Sequence, residues 1–217
     1  MNTAKLLVAA VATLAASTVA AAAQAQDFQP QAKGTFVIDA RISDVSPDAN
    51  NAITAGGAPT GLHVDISDSV MPTLGFTYFL TDHIAVEAIL GSTDHTIRAV
   101  GPGTNVKVAE TWVLPPVVSL QYHFFPKARF SPYVGAGVND MIYYGGSNYN
   151  GFQTHLHNSA GAAVQFGADY AIRGAWAANL DVKKIFVESD AIINGGALRS
   201  NVDLNPWVIS LGVGRRF

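Results

Sequence analysis

The feature that most limits what this chain can fold into is a two-residue alternation of apolar with small or polar side chains. It is repeated in eight stretches between Phe36 and Phe217. Such a period puts successive side chains on opposite faces of an extended strand, so each stretch reads as a β-strand with one apolar face. In the first, Phe36, Ile38, Ala40 and Ile42 oppose Val37, Asp39 and Arg41. The second sets Leu74, Phe76, Tyr78 and Leu80 against Thr73, Gly75, Thr77 and Phe79, and the third sets Ile84, Val86, Ala88 and Leu90 against Ala85, Glu87 and Ile89. The fourth is the longest, with Trp112, Leu114, Val118, Leu120, Tyr122 and Phe124 opposing Ser119, Gln121 and His123. The fifth runs from Val134 to Ile142, where Asp140 on the apolar face predicts a bulge or a membrane border. The sixth spans Ala162 to Tyr170 with Gln165 and Asp169 opposite, and the seventh spans Trp176 to Phe186 with Asn179, Asp181 and Lys183 opposite. The eighth, "PWVISLGVGRRF", sets Trp207, Ile209, Leu211, Val213, Arg215 and Phe217 against Val208, Ser210, Gly212, Gly214 and Arg216.

The chemistry of the two faces decides which one meets solvent. A soluble β-barrel or sandwich would bury the apolar faces and expose the polar ones. Here the apolar faces carry aromatic rings at strand ends. In the eighth stretch, Trp207 and Phe217 stand roughly 25 Å apart along a tilted barrel axis, the height of a membrane barrel's apolar band. Hydrophobic residues make up 49% of the chain and charged ones 13%, with a mean hydropathy of +0.22. Yet no run after residue 25 approaches the ~20 apolar residues of a membrane helix. Connections alternate long and short: about twenty-five residues after the first stretch, then only Thr81 and Asp82, and so on around the chain. An antiparallel barrel with both termini in the periplasm produces that alternation. The expected fold is therefore all-β: an eight-stranded antiparallel transmembrane β-barrel, with lipid outside and Asp39, Arg41, Glu87, Gln121, His123, Asp169, Asp181 and Lys183 in the lumen. Such a barrel belongs in the outer membrane of a Gram-negative-type bacterium, reached after export through the inner membrane.

The first 25 residues read as a signal peptide, with Lys5 ahead of an alanine-rich apolar run and "AQA" before a cut after Ala25. Residues 26–217 then form the barrel domain. No cysteine supplies disulfides or thiolate ligands. Without Lys5 the mature chain has 12 basic and 16 acidic residues and no basic run, which excludes a nucleic-acid partner.

Several stretches, "YFLTDHIAVEAILG", "LPPVVSLQYHF", "PYVGAGVN", "AANLDVKKIFV" and the ending "GVGRRF", resemble the strands of the outer-membrane protein W family, in order and across the mature chain. Membership implies a narrow, largely hydrophobic channel that carries small hydrophobic solutes inward and releases them sideways into the membrane. The alternative is a non-transporting structural or adhesive barrel whose extracellular loops bind partners. The terminal Phe217 also resembles the signal read by barrel-assembly machinery, a further expected partner beside outer-membrane lipid.

Two candidate sites follow. Inward charges and polar groups toward the periplasm, namely Asp39, Arg41, Glu87, Gln121, His123, Asp169, Lys183 and Arg216, form a candidate luminal plug. Inward glycines, among them Gly75 and Gly167, leave room for a narrow passage. The loops hold more apolar residues than solvation needs, and these form a candidate hydrophobic entrance: Ile53, Leu62, Val64, Ile66, Val70, Ile97, Val100, Val106, Phe152, Leu156, Ile192, Ile193 and Leu198. No catalytic, cofactor or metal site is expected. His155 and His157 lack nearby acidic partners, and Ser119 lies roughly 13 Å from His123 along one strand, too far for a nucleophile and its base. Arg215, the one charge on the lipid face of the last strand, is expected to snorkel at the membrane border. The oligomeric state is not legible.

Overall fold

The computed structural model describes residues 27–217, so the expected signal peptide lies outside the described residues. Fifteen strands run through them: β1 (Phe36–Ser46), β2 (Ala52–Ala55), β3 (Ala58–Ile66), β4 (Ser69–Phe79), β5 (Ile84–Gly91), β6 (Thr93–Gly101), β7 (Thr104–Leu114), β8 (Val117–His123), β9 (Phe130–Asn148), β10 (Thr154–Leu156), β11 (Ser159–Arg173), β12 (Trp176–Phe186), β13 (Glu188–Ile193), β14 (Leu198–Asp203) and β15 (Trp207–Arg216). Eight of them, β1, β4, β5, β8, β9, β11, β12 and β15, pair antiparallel with their neighbours. The circle closes where β1 meets β15, with Val37 opposite Arg216 and Ser46 opposite Trp207. These are the eight alternating stretches, and closure leaves no unpaired edge for lipid to meet.

Burial follows the alternation. Ile42, Leu74, Leu120, Val138, Val164 and Leu211 are exposed on the outside, whereas Asp39, Arg41, Glu87 and Lys183 are buried inside. Two rings of aromatic side chains bound the apolar belt. Phe36, Tyr78, Tyr122, Phe124, Tyr170, Trp176 and Phe217 form the periplasmic girdle, and Trp112, Tyr144, Phe186 and Trp207 form the outer one. The Arg215 guanidinium lies over the Trp176 and Phe217 rings, 5.9 and 5.1 Å from their centroids. It is held at the periplasmic girdle by cation–π contacts.

The long connections are not loops but strands. β2, β3, β6, β7, β10, β13 and β14, together with the upper part of β9, build a second sheet above the outer girdle. Asp140 sits in unbroken register with Ala160. It therefore marks no bulge, and the irregularity in β9 falls higher, where the pairing with β7 shifts between Glu110 and Trp112.

The fourth stretch is broken in two at Pro115 and Pro116. Pairing between β5 and β8 ends at Ile89 and Val117, and pairing between β6 and β7 resumes at Thr93 and Val113. Between these pairs, Leu90–Ser92 face Leu114–Pro116 without a ladder. Two consecutive prolines supply no N–H, so the wall opens there without orphaning donors at those positions. The interruption lies just below Trp112, at the top of the apolar belt.

Beneath the barrel, residues 27–35 cross the periplasmic mouth. Gln29 N donates to Gly174 O (2.7 Å), Gln31 N to Pro126 O (3.0 Å) and Gly34 N to Phe79 O (2.8 Å), tying the segment to three successive turns. Because Leu120 projects from the middle of β8 into the apolar belt, Leu120→Arg is expected to destabilise the barrel by about 2–4 kcal/mol. Denaturant unfolding in lipid vesicles measures this, and Ser119→Ala on the inward face of the same strand should show a smaller loss.

Candidate functional site

The interior divides into two zones of opposite chemistry. In the lower zone, Glu87 is fully buried between two cations. Arg41 Nη2 donates to Glu87 Oε1 (2.7 Å) and to Asp39 Oδ2 (3.0 Å), while Lys183 Nζ donates to Glu87 Oε2 (2.9 Å) and to Asp181. The network continues sideways. Tyr133 Oη donates to Asp181 Oδ2 (2.8 Å), and Asn179 Nδ2 donates to Tyr133 Oη (3.1 Å) and to Asp169 Oδ1 (2.8 Å). Gln31, arriving from the segment across the mouth, donates from Nε2 to Asp169 Oδ2 (2.6 Å). One continuous set of charge-assisted bonds thus joins β1, β5, β9, β11, β12 and the N-terminal segment.

Of the eight candidate plug residues, Asp39, Arg41, Glu87 and Lys183 meet directly, and Asp169 joins them through Asn179 and Tyr133. Gln121 Oε1 meets His123 Nε2 at 3.0 Å, and the imidazole, packed against Phe79 and Tyr133, turns Nδ1 toward Ser131 Oγ (3.4 Å) and Asp169 Oδ2 (3.9 Å). Arg216 stands apart at the mouth, donating to the Gln29 carbonyl. Ser119 Oγ turns to Gln165 Oε1 (3.1 Å), away from His123. The candidate plug omits four members of this network: Asn179 and Asp181, which the alternation places inside, and Tyr133 and Gln31. Tyr133 and Asn179 lie on the inward parity of their strands and were legible by it, whereas Gln31 precedes the first alternating stretch and carries no period.

The inward glycines do not leave a passage at this level. A Cβ at Gly75 would lie 2.9 Å from Arg41 Nη2, and one at Gly167 would lie 2.5 Å from the Tyr133 ring. The space that glycine frees is taken by the long side chains of the network, as expected for an interior just wide enough for side chains to fill. About 220 Å³ of free space remains beside Gln31, Gln121 and His123.

Above this layer the chemistry reverses. A cavity enclosing about 800 Å³ of free space is lined by Val45, Val64, Ile66, Ile97, Val113, Met141, Leu156, Ala191, Ile193, Val202, Leu204 and Val208, and it reaches Pro115 at the wall interruption. Its polar lining is sparse: Thr93, His95, Thr111, Tyr143, Thr154 and Ser189. Among the candidate entrance residues, Val64, Ile66, Ile97, Leu156 and Ile193 line it, Ile53 belongs to the buried cluster around it, and Leu62, Phe152 and Leu198 pack against that cluster. Val100 and Ile192 lie outside the lining because their strand neighbours Ala99 and Ile193 hold the inward parity, whereas Val106, opposite Ala99 on the inward face, sits nearer the hairpin tip than the lining reaches. Val70 is a correction: it is 67% exposed on the outer face of β4. Burial pushes the His95 imidazole below its usual range, and its Nδ1 bonds the Ser67 carbonyl at 2.7 Å. No Asp, Glu, Lys or Arg is among the residues that line the cavity.

Glu87→Ala would leave Arg41 and Lys183 buried and facing each other without their shared anion. The expected loss is about 3–5 kcal/mol, the usual consequence of deleting one partner from a buried ion pair. It would appear as a lower denaturant midpoint, with Glu87→Gln losing less.

The comparisons with known proteins agree with this architecture. The OmpW family model matches residues 32–217. An uncharacterized outer-membrane protein of Sinorhizobium fredii is 42% identical over 74% of this chain and 71% of its own length. Outer membrane protein W of Vibrio cholerae is 32% identical over 92% of this chain and 95% of its own. A Pseudomonas aeruginosa protein named for a dibenzothiophene metabolism operon is 26% identical over 81% and 85%. Among solved structures, the outer membrane protein OprG of Pseudomonas aeruginosa superposes with a TM-score of 0.82 at 28% identity, covering 88% of this chain and 99% of that one. With its closed eight-stranded barrel and a family match across nearly all the described residues, the chain belongs to the OmpW family and is an outer-membrane β-barrel protein.

Proposed function

We propose that this barrel takes small, uncharged hydrophobic molecules from outside the cell into its upper cavity and releases them sideways into the outer membrane. The observation that carries the reading is the position of Pro115, which lines the apolar cavity from within and marks the break in the wall from without. A solute at Pro115 is separated from lipid by no continuous ladder. The layer around Glu87 supports the same direction, because a lumen filled by Arg41, Tyr133 and Lys183 offers no straight path to the periplasm. We assign that layer the role of a plug. An uncharged lining suits solutes without charge, since an ion would lose its hydration there with nothing to replace it. The relative named for a dibenzothiophene metabolism operon is in keeping with a hydrophobic cargo. Catalysis has no place in this reading, in which Ser119 and His123 serve packing and hydrogen bonding in the lumen.

The decisive variant restores the wall. Pro115→Val with Pro116→Val supplies two backbone donors and lets the β5–β8 ladder run on into β6–β7. Cells carrying this variant should accumulate a hydrophobic fluorescent probe several-fold more slowly than cells with the wild-type protein, at equal levels of folded barrel. Equal accumulation by cells with and without the wild-type protein would reject transport and leave the partner-binding barrel as the better reading.

A further inference from the structure

The upper sheet is open along one line, and that line is not at the hairpin tips. β9 and β10 are the two arms of one hairpin, joined by a turn in which Phe152 N donates to Tyr149 O (3.0 Å). Below, β9 pairs with β11 as far as Met141 and Ser159. Above that point the arms part. β9 runs on from β8 to β7 along the same side, setting Tyr144 opposite Trp112, while β10 turns away to β13, setting Thr154 opposite Ile193. Two asparagine side chains bridge the split: Asn158 Oδ1 accepts from Tyr143 N (3.0 Å) at its lower end, and Asn148 Oδ1 accepts from Thr154 N (2.9 Å) at its upper end.

Within the β7–β9 pairing, Gly145 and Gly146 have φ of +61° and +113° and form a bulge, with Tyr144 opposite Trp112 below it and Ser147 opposite Glu110 above. A Cβ at Gly146 would meet the Glu110 carbonyl oxygen at 2.2 Å, so no other residue fits that approach. Between the parted arms lies an open groove with about 660 Å³ of free space, solvent included. Thr111, Tyr143, Thr154 and Leu156 line both this space and the apolar cavity, so the two meet across these four side chains. Toward the hairpin tips, by contrast, Ile53, Ala99 and Val108 are buried in the same apolar cluster without lining the cavity.

A second observation concerns hydroxyls. Thr154 Oγ1 and Thr93 Oγ1 are both buried without a hydrogen-bond partner among the described residues, and both residues line the cavity. Thr154 stands at the split between β9 and β10, and Thr93 is the first residue paired above the break at Pro115. A buried hydroxyl left without a partner is unfavourable, and a ligand that bonds it recovers that loss.

We propose that the split between β9 and β10 is the port through which solutes reach the cavity, and that Thr154 and Thr93 select apolar molecules carrying one uncharged hydrogen-bonding group. The proposal rests on the cavity being a solute site. It adds a direction: in through the flank above the outer girdle at Tyr144, out through the wall below Trp112, with a hydroxyl waiting at each opening.

The chain contains no cysteine, so single thiols can be placed cleanly. Ser147→Cys puts one on the rim of the split, and Ala58→Cys puts one at the tip of the β2–β3 hairpin. Each is coupled to a bulky maleimide, and initial uptake of 2-naphthol and naphthalene is measured in cells carrying the labelled barrel. Labelling at Ser147→Cys should slow uptake of both solutes, and labelling at Ala58→Cys should leave it unchanged; the reverse pattern overturns the port. Thr93→Val with Thr154→Val keeps side-chain shape and removes both hydroxyls. It should weaken 2-naphthol saturation about fivefold, the equivalent of one neutral hydrogen bond, with naphthalene unaffected. Equal effects on the two solutes, or none, overturn the selectivity. If the unlabelled wild-type barrel admits neither solute, the cavity is not a solute site and the port falls with it. Admission by the wild type with no response to the Ser147→Cys label rejects the port alone.

Discussion

In hydrocarbon no water is at hand to satisfy a peptide group, so every N–H and C=O in the apolar belt must find its partner in a neighbouring strand. The rest of this structure depends on that demand. It forces β1 onto β15 and fixes eight staves in a closed ladder, and it dictates that the polar parity of every stave face the lumen. It also restricts where an opening can be made. At Pro115 and Pro116 the chain uses the one residue type that has no donor to orphan, and it does so at the upper margin of the belt, where water and headgroups begin.

The lumen obeys the same physics with charges in place of amides. Glu87 has one cation on each oxygen, and each cation has a second carboxylate, Asp39 for Arg41 and Asp181 for Lys183. Three staves, β1, β5 and β12, are cross-braced at that level. Glycine at positions 75 and 167 is a packing requirement of that brace, since the guanidinium of Arg41 and the ring of Tyr133 occupy the room a larger residue would need.

The eight staves, their inward and outward faces and most of the charged network were legible because a period of two survives any tertiary context that keeps one face in lipid. What escaped notice lay outside that period or beyond the stretches where it was followed. Gln31 contributes from an irregular segment. The extracellular strands replace the loops that the long connections suggest: "AGGA", "GPG" and "NGG" are hairpin turns, and Ile97 and Ala99, or Ala191 and Ile193, repeat the same alternation on the cavity side. Val45, Val113 and Met141 line the cavity because the staves continue upward past the membrane with their inward parity unchanged. The break at Pro115 and Pro116 was in plain view in "LPP", but alternation resumes with the same parity on its far side, and the two halves therefore read as one strand.

Under the proposed lateral route, the filled lower lumen has a consequence for what would drive a molecule through the cavity. With Arg41, Tyr133 and Lys183 closing the way beneath, hydrocarbon is the only onward phase that the cavity adjoins. The driving force is then the solute's own preference for oil over water, about 0.8 kcal/mol for each buried methylene. Such a device needs neither an ion gradient nor a nucleotide. On that proposal it would work as a catalyst of partition, speeding the approach to an equilibrium that the solute's solubility has already set, and its net flux would last only while something on the inner side kept removing what the membrane absorbs.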